Sequence, residues 1–224
     1  MEKLIGIKYS DELANILSAT YDGEIELYEG ETVLITGLMD TYDVAFINTL
    51  LGITSLPNGG ISVFGKESIN AEARQKIGVV FEDATLISNL KVVENVELPM
   101  QYHTNLSDYD IMEKALLLLD KIGYRDNIWR LPGTLPFYVR KKIALARAMA
   151  LDPAIVIYDS IYKGLYEHEL RQLVDTIIEF NKEAPQRLSI FLTSNEQHNA
   201  LKDTNIKFDR VINLNIIENK DNGQ

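Results

Sequence analysis

The run AIVIYD, residues 154–159, constrains the fold of this chain more than any other stretch. Its apolar residues follow one another without a polar interruption, as is typical of a strand buried on both faces of a parallel sheet. The runs TVLITG and KIGVVF are similar in character, and segments with helical periodicity separate such runs along the chain. This alternation predicts an α/β fold with a parallel core.

Composition narrows the class of protein. A length of 224 residues suits one domain, and a net charge of −11 disfavours a nucleic-acid partner. There is no cysteine, which excludes disulfides and cysteine metal sites and fits a reducing compartment. We see neither a signal-peptide pattern at the start nor an apolar run long enough to cross a membrane, and we expect the polar tail, 218–224, to be frayed.

The stretch from Thr32 to Gly52 has the outline of a phosphate-binding loop between a strand and a helix. The working pattern is G-x-x-x-x-G-K-[ST], in which the lysine neutralises phosphate and the hydroxyl holds Mg²⁺. Here Gly37 fills the first glycine position, but the next three key positions hold Tyr42, Asp43 and Val44. Taken alone, the stretch also fits an ordinary strand-turn-helix that never bound phosphate.

Three longer blocks favour the interpretation that this stretch is a phosphate-binding loop that has kept its shape and lost its working residues. They are GETVLITG…INTLLGITSLPNGGISVFGK, IGVVFEDATLISNLKVVENVELPMQYH and RKKIALARAMALDPAIVIYD. In order and spacing they resemble the ATP-binding subunit of ABC transporters, from residue 2 to about residue 217. Two pieces, ENVELPMQYH and VRKKIALARA, are most similar to the ATPases of Mla/Mce-type lipid transporters.

The resemblance implies a single domain over residues 1–217 with ABC ATPase architecture. It combines a P-loop NTPase-like parallel core, an N-terminal antiparallel β part and an inserted helical subdomain. We expect the core at about 1–85 and 150–217 and the helical subdomain at about 86–149. It further implies a cytoplasmic subunit, peripheral on the inner face of the membrane through an integral permease, that forms a homodimer or a heterodimer with another ABC ATPase subunit.

The same resemblance places the family's nucleotide-handling residues on altered positions. The loop is degenerate at Tyr42, Asp43 and Val44, and the glutamine of the Q-loop is Glu82, which could still bind metal. The signature sequence becomes Leu135, Pro136, Phe137, Tyr138 and Val139. The strand-end aspartate is kept as Asp159, but the general base beside it is Ser160, the switch histidine is Ser194, and the D-loop contains Gly164. Tyr9 is the candidate for adenine stacking, although packing explains a lone tyrosine equally simply.

This pattern predicts that the fold is kept and the chemistry lost. We expect no catalytic residue, because a serine without assistance cannot deprotonate water near neutral pH. We also expect no metal site and weak or absent binding of ATP and Mg²⁺, because Tyr42, Asp43 and Val44 replace the phosphate- and metal-binding residues of the loop. The main hypothesis is a pseudo-ATPase docked to a permease, with lipid transport as the candidate process. The alternatives are the degenerate half of a heterodimer beside an active ATPase, and an ATPase with an unconventional site.

The segment 82–99 is the candidate surface for the permease. In the family, the part of the chain after the Q-loop residue receives a short helix of the permease. Asp83, Leu86 and Ile87 are the docking candidates, although Leu86 and Ile87 could instead fill the core of the helical subdomain. We interpret the basic run at 140–142 as the polar face of a helix.

Overall fold

The computed structural model describes residues 1–8, 24–37, 43–54, 60–66, 69–193 and 199–214. Its strands are β1 (Lys3–Lys8), β2 (Glu24–Tyr28), β3 (Thr32–Thr36), β4 (Ile61–Val63), β5 (Ile77–Val80), β6 (Ile155–Asp159), β7 (Leu188–Thr193) and β8 (Arg210–Asn213). Its helices are α1 (Asp43–Leu50), α2 (Ala71–Arg74), α3 (Val92–His103), α4 (Asp108–Lys121), α5 (Phe137–Met149), α6 (Glu167–Glu183) and α7 (Asn199–Lys202), with a 3₁₀ turn at Pro132–Thr134.

The described strands form two sheets. The larger is parallel, in the order β5-β6-β7-β3-β8, so that β6 and β7 lie inside it. The smaller is antiparallel, in the order β2-β1-β4, and comes from the N-terminal part of the chain. The predicted α/β fold with a parallel core and an N-terminal antiparallel part is therefore confirmed.

Apolar residues are buried on both faces of the parallel sheet, as the run at 154–159 predicts. Along β6, Val156 and Tyr158 pack into a cluster shared with α3, α4, α5 and α6. Ile155 and Ile157 point the other way, into a cluster shared with α1 and the antiparallel sheet. Because side chains alternate along a strand, a strand covered on both sides must be apolar at every position.

Three helices, α3, α4 and α5, pack against one another, and α5 also contacts β5 at the edge of the parallel sheet. They fall within the part of the chain predicted to be a helical subdomain. The domain boundaries themselves stay predictions. The tail at 218–224 lies outside the described residues.

The loop between β5 and α3 is held rigidly from two sides. Asn95, on α3, is completely buried. Its side-chain oxygen accepts a hydrogen bond from the Ile87 backbone N–H at 2.8 Å, and its side-chain nitrogen donates one to the Ile87 carbonyl at 3.1 Å. The same amide nitrogen also donates to the carbonyls of Leu90 and Lys91. From α5, Arg147 donates to the carbonyl of Thr85 at 2.9 Å. The loop is thus fixed by side chains that belong to two different helices.

We predict that Asn95→Leu lowers the free energy of unfolding by about 2 kcal/mol, because it leaves the Ile87 backbone N–H and the Leu90 carbonyl without their side-chain partner. Urea unfolding followed by circular dichroism measures this. The matched control is Asn105→Leu at a solvent-exposed position, which should change the free energy by less than about 0.5 kcal/mol. Equal effects of the two substitutions would show that the amide does not hold the loop.

Candidate functional site

The carboxyl end of β3 begins the altered phosphate-binding loop. Gly37 follows β3 with a φ of 92°, a left-handed conformation that glycine adopts without strain. Tyr42 lies outside the described residues, and Asp43 is described only as the first residue of α1. Val44, at the position of the metal-binding hydroxyl, is 49% exposed and carries no oxygen that could bind a metal.

An ion pair connects the segments that follow β5 and β6. The Lys163 Nζ atom lies 2.9 Å from the Glu82 Oε2 atom, and the lysine is the better buried of the two partners. The family resemblance predicts Glu82 at the Q-loop position, where a role in metal binding was left open. One of its carboxylate oxygens is engaged by a cation of the chain itself.

Asp159 ends β6 in a buried position beside Glu82. Burial raises the pKa of Asp159, and a hydrogen bond from the backbone amide of Glu82 opposes that rise. Within the described ranges, the Asp159 Oδ1 atom has no hydrogen-bond partner. The next residue, Ser160, is fully buried with a φ of 43°, which is an uncommon conformation for a residue other than glycine.

Lys141 is the charged residue that the sequence analysis placed wrongly. It lies in the basic run interpreted as a polar helix face, yet it is fully buried in α5. Its Nζ atom donates to the Ile161 carbonyl at 2.7 Å and lies 3.4 Å from the Ser160 carbonyl. Helical spacing was the sequence signal that could have placed Lys141 on the buried face of α5, because the buried Ala144 and Leu145 follow Lys141 by three and four residues.

Burial lowers the pKa of Lys141 to about 8, and the nearby carboxylates of Glu82, Asp159 and Asp83 oppose this shift. Two lysines, Lys141 and Lys163, therefore stand against the acidic groups at the ends of β5 and β6. The negative charges of Glu82 and Asp159 are therefore offset by lysines of the same chain.

The residues at the signature position pack against their own chain. Leu135 is buried, and Pro136 precedes the first turn of α5. The ring of Phe137 lies so close to Gly164 that a β-carbon built on this glycine would come within 2.7 Å of the ring. The Tyr138 hydroxyl donates to Gln172 of α6 at 2.9 Å, and Val139 is half-buried. These side chains connect α5 to the loop after β6 and to α6.

The docking candidates divide between surface and core. Asp83 is exposed and Ile87 is 38% exposed, whereas Leu86 is half-buried and packs against the main apolar cluster. A groove of about 220 Å³ runs along this loop, and Arg140 of α5 lies on its other side. Asp83 and Ile87 therefore remain available to a partner.

Two other candidates, Tyr9 and Ser194, lie outside the described residues. Among the residues that the structure describes, no group of three metal-binding side chains occurs. No helix in the same part of the chain is long and apolar enough to cross a bilayer.

We predict that Lys141 destabilises the folded protein below pH 8 and ceases to do so at alkaline pH. Its folded pKa of about 8 lies below its ordinary value of 10.5, so the unfolded state binds more protons between these pH values. The free energy of unfolding, relative to that of Lys141→Met, should rise by about 3 kcal/mol between pH 7.5 and pH 10.5.

Urea unfolding of both proteins at the two pH values measures this difference. Lys114→Met, at an exposed position of α4, is the matched control. If the difference in the free energy of unfolding between the unsubstituted protein and Lys141→Met stays constant with pH, Lys141 is not a desolvated ammonium group.

Comparisons with known proteins identify the family and the fold of this chain. The sequence profile described as "ABC transporter" matches residues 22–162. The glutamate/aspartate import ATP-binding protein GltL of Escherichia coli (strain K12) is 26% identical over 167 residues, which are 72% of this chain and 69% of that protein. The probable ribonucleotide transport ATP-binding protein mkl of Mycobacterium leprae is 26% identical over 166 residues, 71% of this chain but only 48% of the relative.

Solved structures share the fold. The ATP-binding cassette MJ0796, in a dimeric post-hydrolysis state bound to ADP and Pi, superposes with a TM-score of 0.73 at 20% identity, over 95% of this chain and 94% of that chain. The protein cbiO1 of Clostridium perfringens, described as part of the cbiONQ ABC transporter complex, gives 0.71 at 20% identity, over 87% and 80%. By its sequence profile, this chain belongs to the ABC transporter family, as an ATP-binding domain.

Proposed function

We propose that this protein is a pseudo-ATPase, a nucleotide-binding-type subunit that does not hydrolyse ATP and serves as a structural or regulatory subunit of a membrane permease. The observation that carries the proposal is the internal pairing of the acidic positions. Lys163 binds Glu82 at 2.9 Å, and Lys141 is buried close enough to Glu82 and Asp159 for both charges to act on it.

A bound Mg²⁺ would have to compete with these lysines. Magnesium prefers oxygen ligands in near-octahedral geometry, and one of the two carboxylate oxygens of Glu82 is engaged by an ammonium group. Val44 provides no ligand, which leaves the second Glu82 oxygen and the unpartnered Oδ1 atom of Asp159 as candidates. A divalent cation placed there would lie near two positive side chains, so the residues present do not fit the family's metal site.

The loop after β3 is also unsuited to phosphate. Two unit charges about 4 Å apart interact by roughly 4 kcal/mol at an effective dielectric of 20, so Asp43 in place of lysine replaces attraction with repulsion. At the signature position, Pro136 lacks a backbone N–H. The ring of Phe137 fills the space beside Gly164, where glycines of the family signature would leave the backbone open.

We place the subunit on the cytoplasmic face of the membrane, attached through its permease. Lipid transport is the candidate process, on the resemblance of ENVELPMQYH and VRKKIALARA to Mla/Mce-type ATPases. GltL and mkl are named for the import of glutamate/aspartate and the transport of ribonucleotides, respectively, so the named relatives do not agree on one cargo.

We predict that ATP with Mg²⁺ does not bind at millimolar concentration. Isothermal titration calorimetry should give no saturable heat, and the melting temperature should be the same with and without nucleotide, because the phosphate and metal positions repel their ligands. Micromolar binding would contradict the proposal. If Glu82→Gln then abolished that binding, an ATPase with an unconventional site would be the better hypothesis.

We predict that attachment to the permease depends on Asp83 and Ile87. The loop is held by Asn95 and Arg147, so its exposed side chains are presented in a fixed arrangement, with an acidic and an apolar group suited to an amphipathic helix that carries a basic residue. Ile87→Asp and Asp83→Arg should each reduce co-purification with the membrane protein encoded beside this chain by about tenfold.

The matched control is Ile53→Asp, because Ile53 is a 62% exposed isoleucine in the segment after α1. It should leave the yield of the complex unchanged. Folded variants at Asp83 and Ile87 that co-purify as well as this control would rule out docking through the loop, whatever the result with ATP.

A further inference from the structure

A second cleft lies on the helical side of the protein, between the loop that follows α4 and the first half of α5. Its volume is about 570 Å³, which is within the range of small-molecule sites. Its walls are largely apolar, formed by Tyr124, Leu135, Pro136 and Val139. We call it the Lys142 cleft, after the lysine that lines it.

The charges that line the Lys142 cleft do not cancel. Arg125 pairs with Asp120, and Arg130 pairs with Asp126. By contrast, no carboxylate of the described residues pairs with Lys142. The Lys142 cleft therefore presents one uncompensated positive charge, although the chain as a whole carries a net charge of −11.

The surroundings of Lys142 favour an anion as the missing partner. Its Nζ atom lies over the Tyr138 ring, 5.3 Å from the centroid, and 3.4 Å from where a β-carbon on Gly123 would lie. Burial, and then the charge of Arg125, lowers the pKa of Lys142. A ligand anion would relieve this repulsion and would form a charge-assisted hydrogen bond in a partly desolvated place.

We propose that the Lys142 cleft binds a small monocarboxylate with an apolar body, of the size of a medium-chain fatty acid. A single negative charge matches the single uncompensated cation. The apolar walls would cover a hydrocarbon body, which is favourable because apolar surface is removed from water. A polyphosphate fits less well, because its several negative charges would exceed the single charge of Lys142 in a cleft that Asp126 also lines.

The Lys142 cleft shares Leu135, Pro136 and Val139 with the predicted signature position, but its ligand does not depend on whether this protein hydrolyses ATP. The cleft lies apart from the ion pair of Glu82 with Lys163, and it shares no lining residue with the groove along Asp83 and Leu86. A failure to bind carboxylates would leave the argument about nucleotide intact, and binding of ATP elsewhere would leave this site intact.

Octanoate is the probe, and 1-octanol at equal concentration is its uncharged counterpart. Isothermal titration calorimetry of the full chain should show saturable binding of octanoate with a Kd below the millimolar range, and weaker binding of 1-octanol. Lys142→Gln should weaken octanoate binding by about tenfold, because the charge-assisted hydrogen bond is lost. Lys114→Gln, at the exposed position on α4, should leave the Kd unchanged.

A second variant tests the apolar walls. Val139→Phe narrows the cleft without changing its charge, and it should weaken octanoate binding while circular dichroism confirms the fold. Reductive methylation with a ¹³C label gives each lysine an NMR methyl signal, and the signal that is absent from Lys142→Gln belongs to Lys142. This signal should shift when octanoate is added.

Four outcomes would overturn the proposal. They are no saturable binding of octanoate, equal binding of 1-octanol, an unchanged Kd in both cleft variants, and displacement of octanoate by ATP. The last would identify the cleft as part of a nucleotide site.

Discussion

The ammonium group of Lys141 connects the helical part of the protein to the loop that follows β6. It is fully buried, and its short hydrogen bond to the Ile161 carbonyl fixes the chain just after Asp159 and Ser160. A buried lysine is expensive in free energy unless its charge and its hydrogen bonds are satisfied. Here backbone carbonyls and the acidic groups of Glu82 and Asp159 provide part of that compensation, and the remaining cost of burial lowers the pKa of Lys141. The positions of α5 and of both strand ends therefore depend on one another.

The contacts around this lysine involve changes at several separate places in the sequence. Glu82, which the family resemblance places at a glutamine position, pairs with Lys163, far along the chain. Phe137, which the same resemblance places at a glycine position, packs on Gly164, where only a glycine leaves room for its ring. Glu82 and Phe137 are thus each in contact with a residue of the same chain in the folded protein. These contacts are consistent with the proposal that one set of interactions has replaced another while the fold was kept.

The fold could be predicted from the sequence because it follows from local patterns. The alternating strands and helices, and the unbroken apolar run of β6, each depend on residues close together in the chain. The interior of the site could not be predicted in this way, because it depends on contacts between residues that lie far apart in the sequence. Glu82 with Lys163 is such a pair, and the contact of Phe137 with Gly164 is another. Lys141 was misplaced because its neighbours are also basic, so the polar run concealed the buried helix face.

The strand order has a consequence for how the chain is made. β3 lies between β7 and β8, which are formed by residues 188–213, near the other end of the chain. During translation, the first third of the protein emerges with an apolar strand that has neither neighbour available. Pairings between distant segments also close slowly, because loop entropy must be lost before the contacts form. The nascent chain thus has an unprotected β3 until nearly all of it has left the ribosome, and chaperones that bind apolar segments would act in that interval.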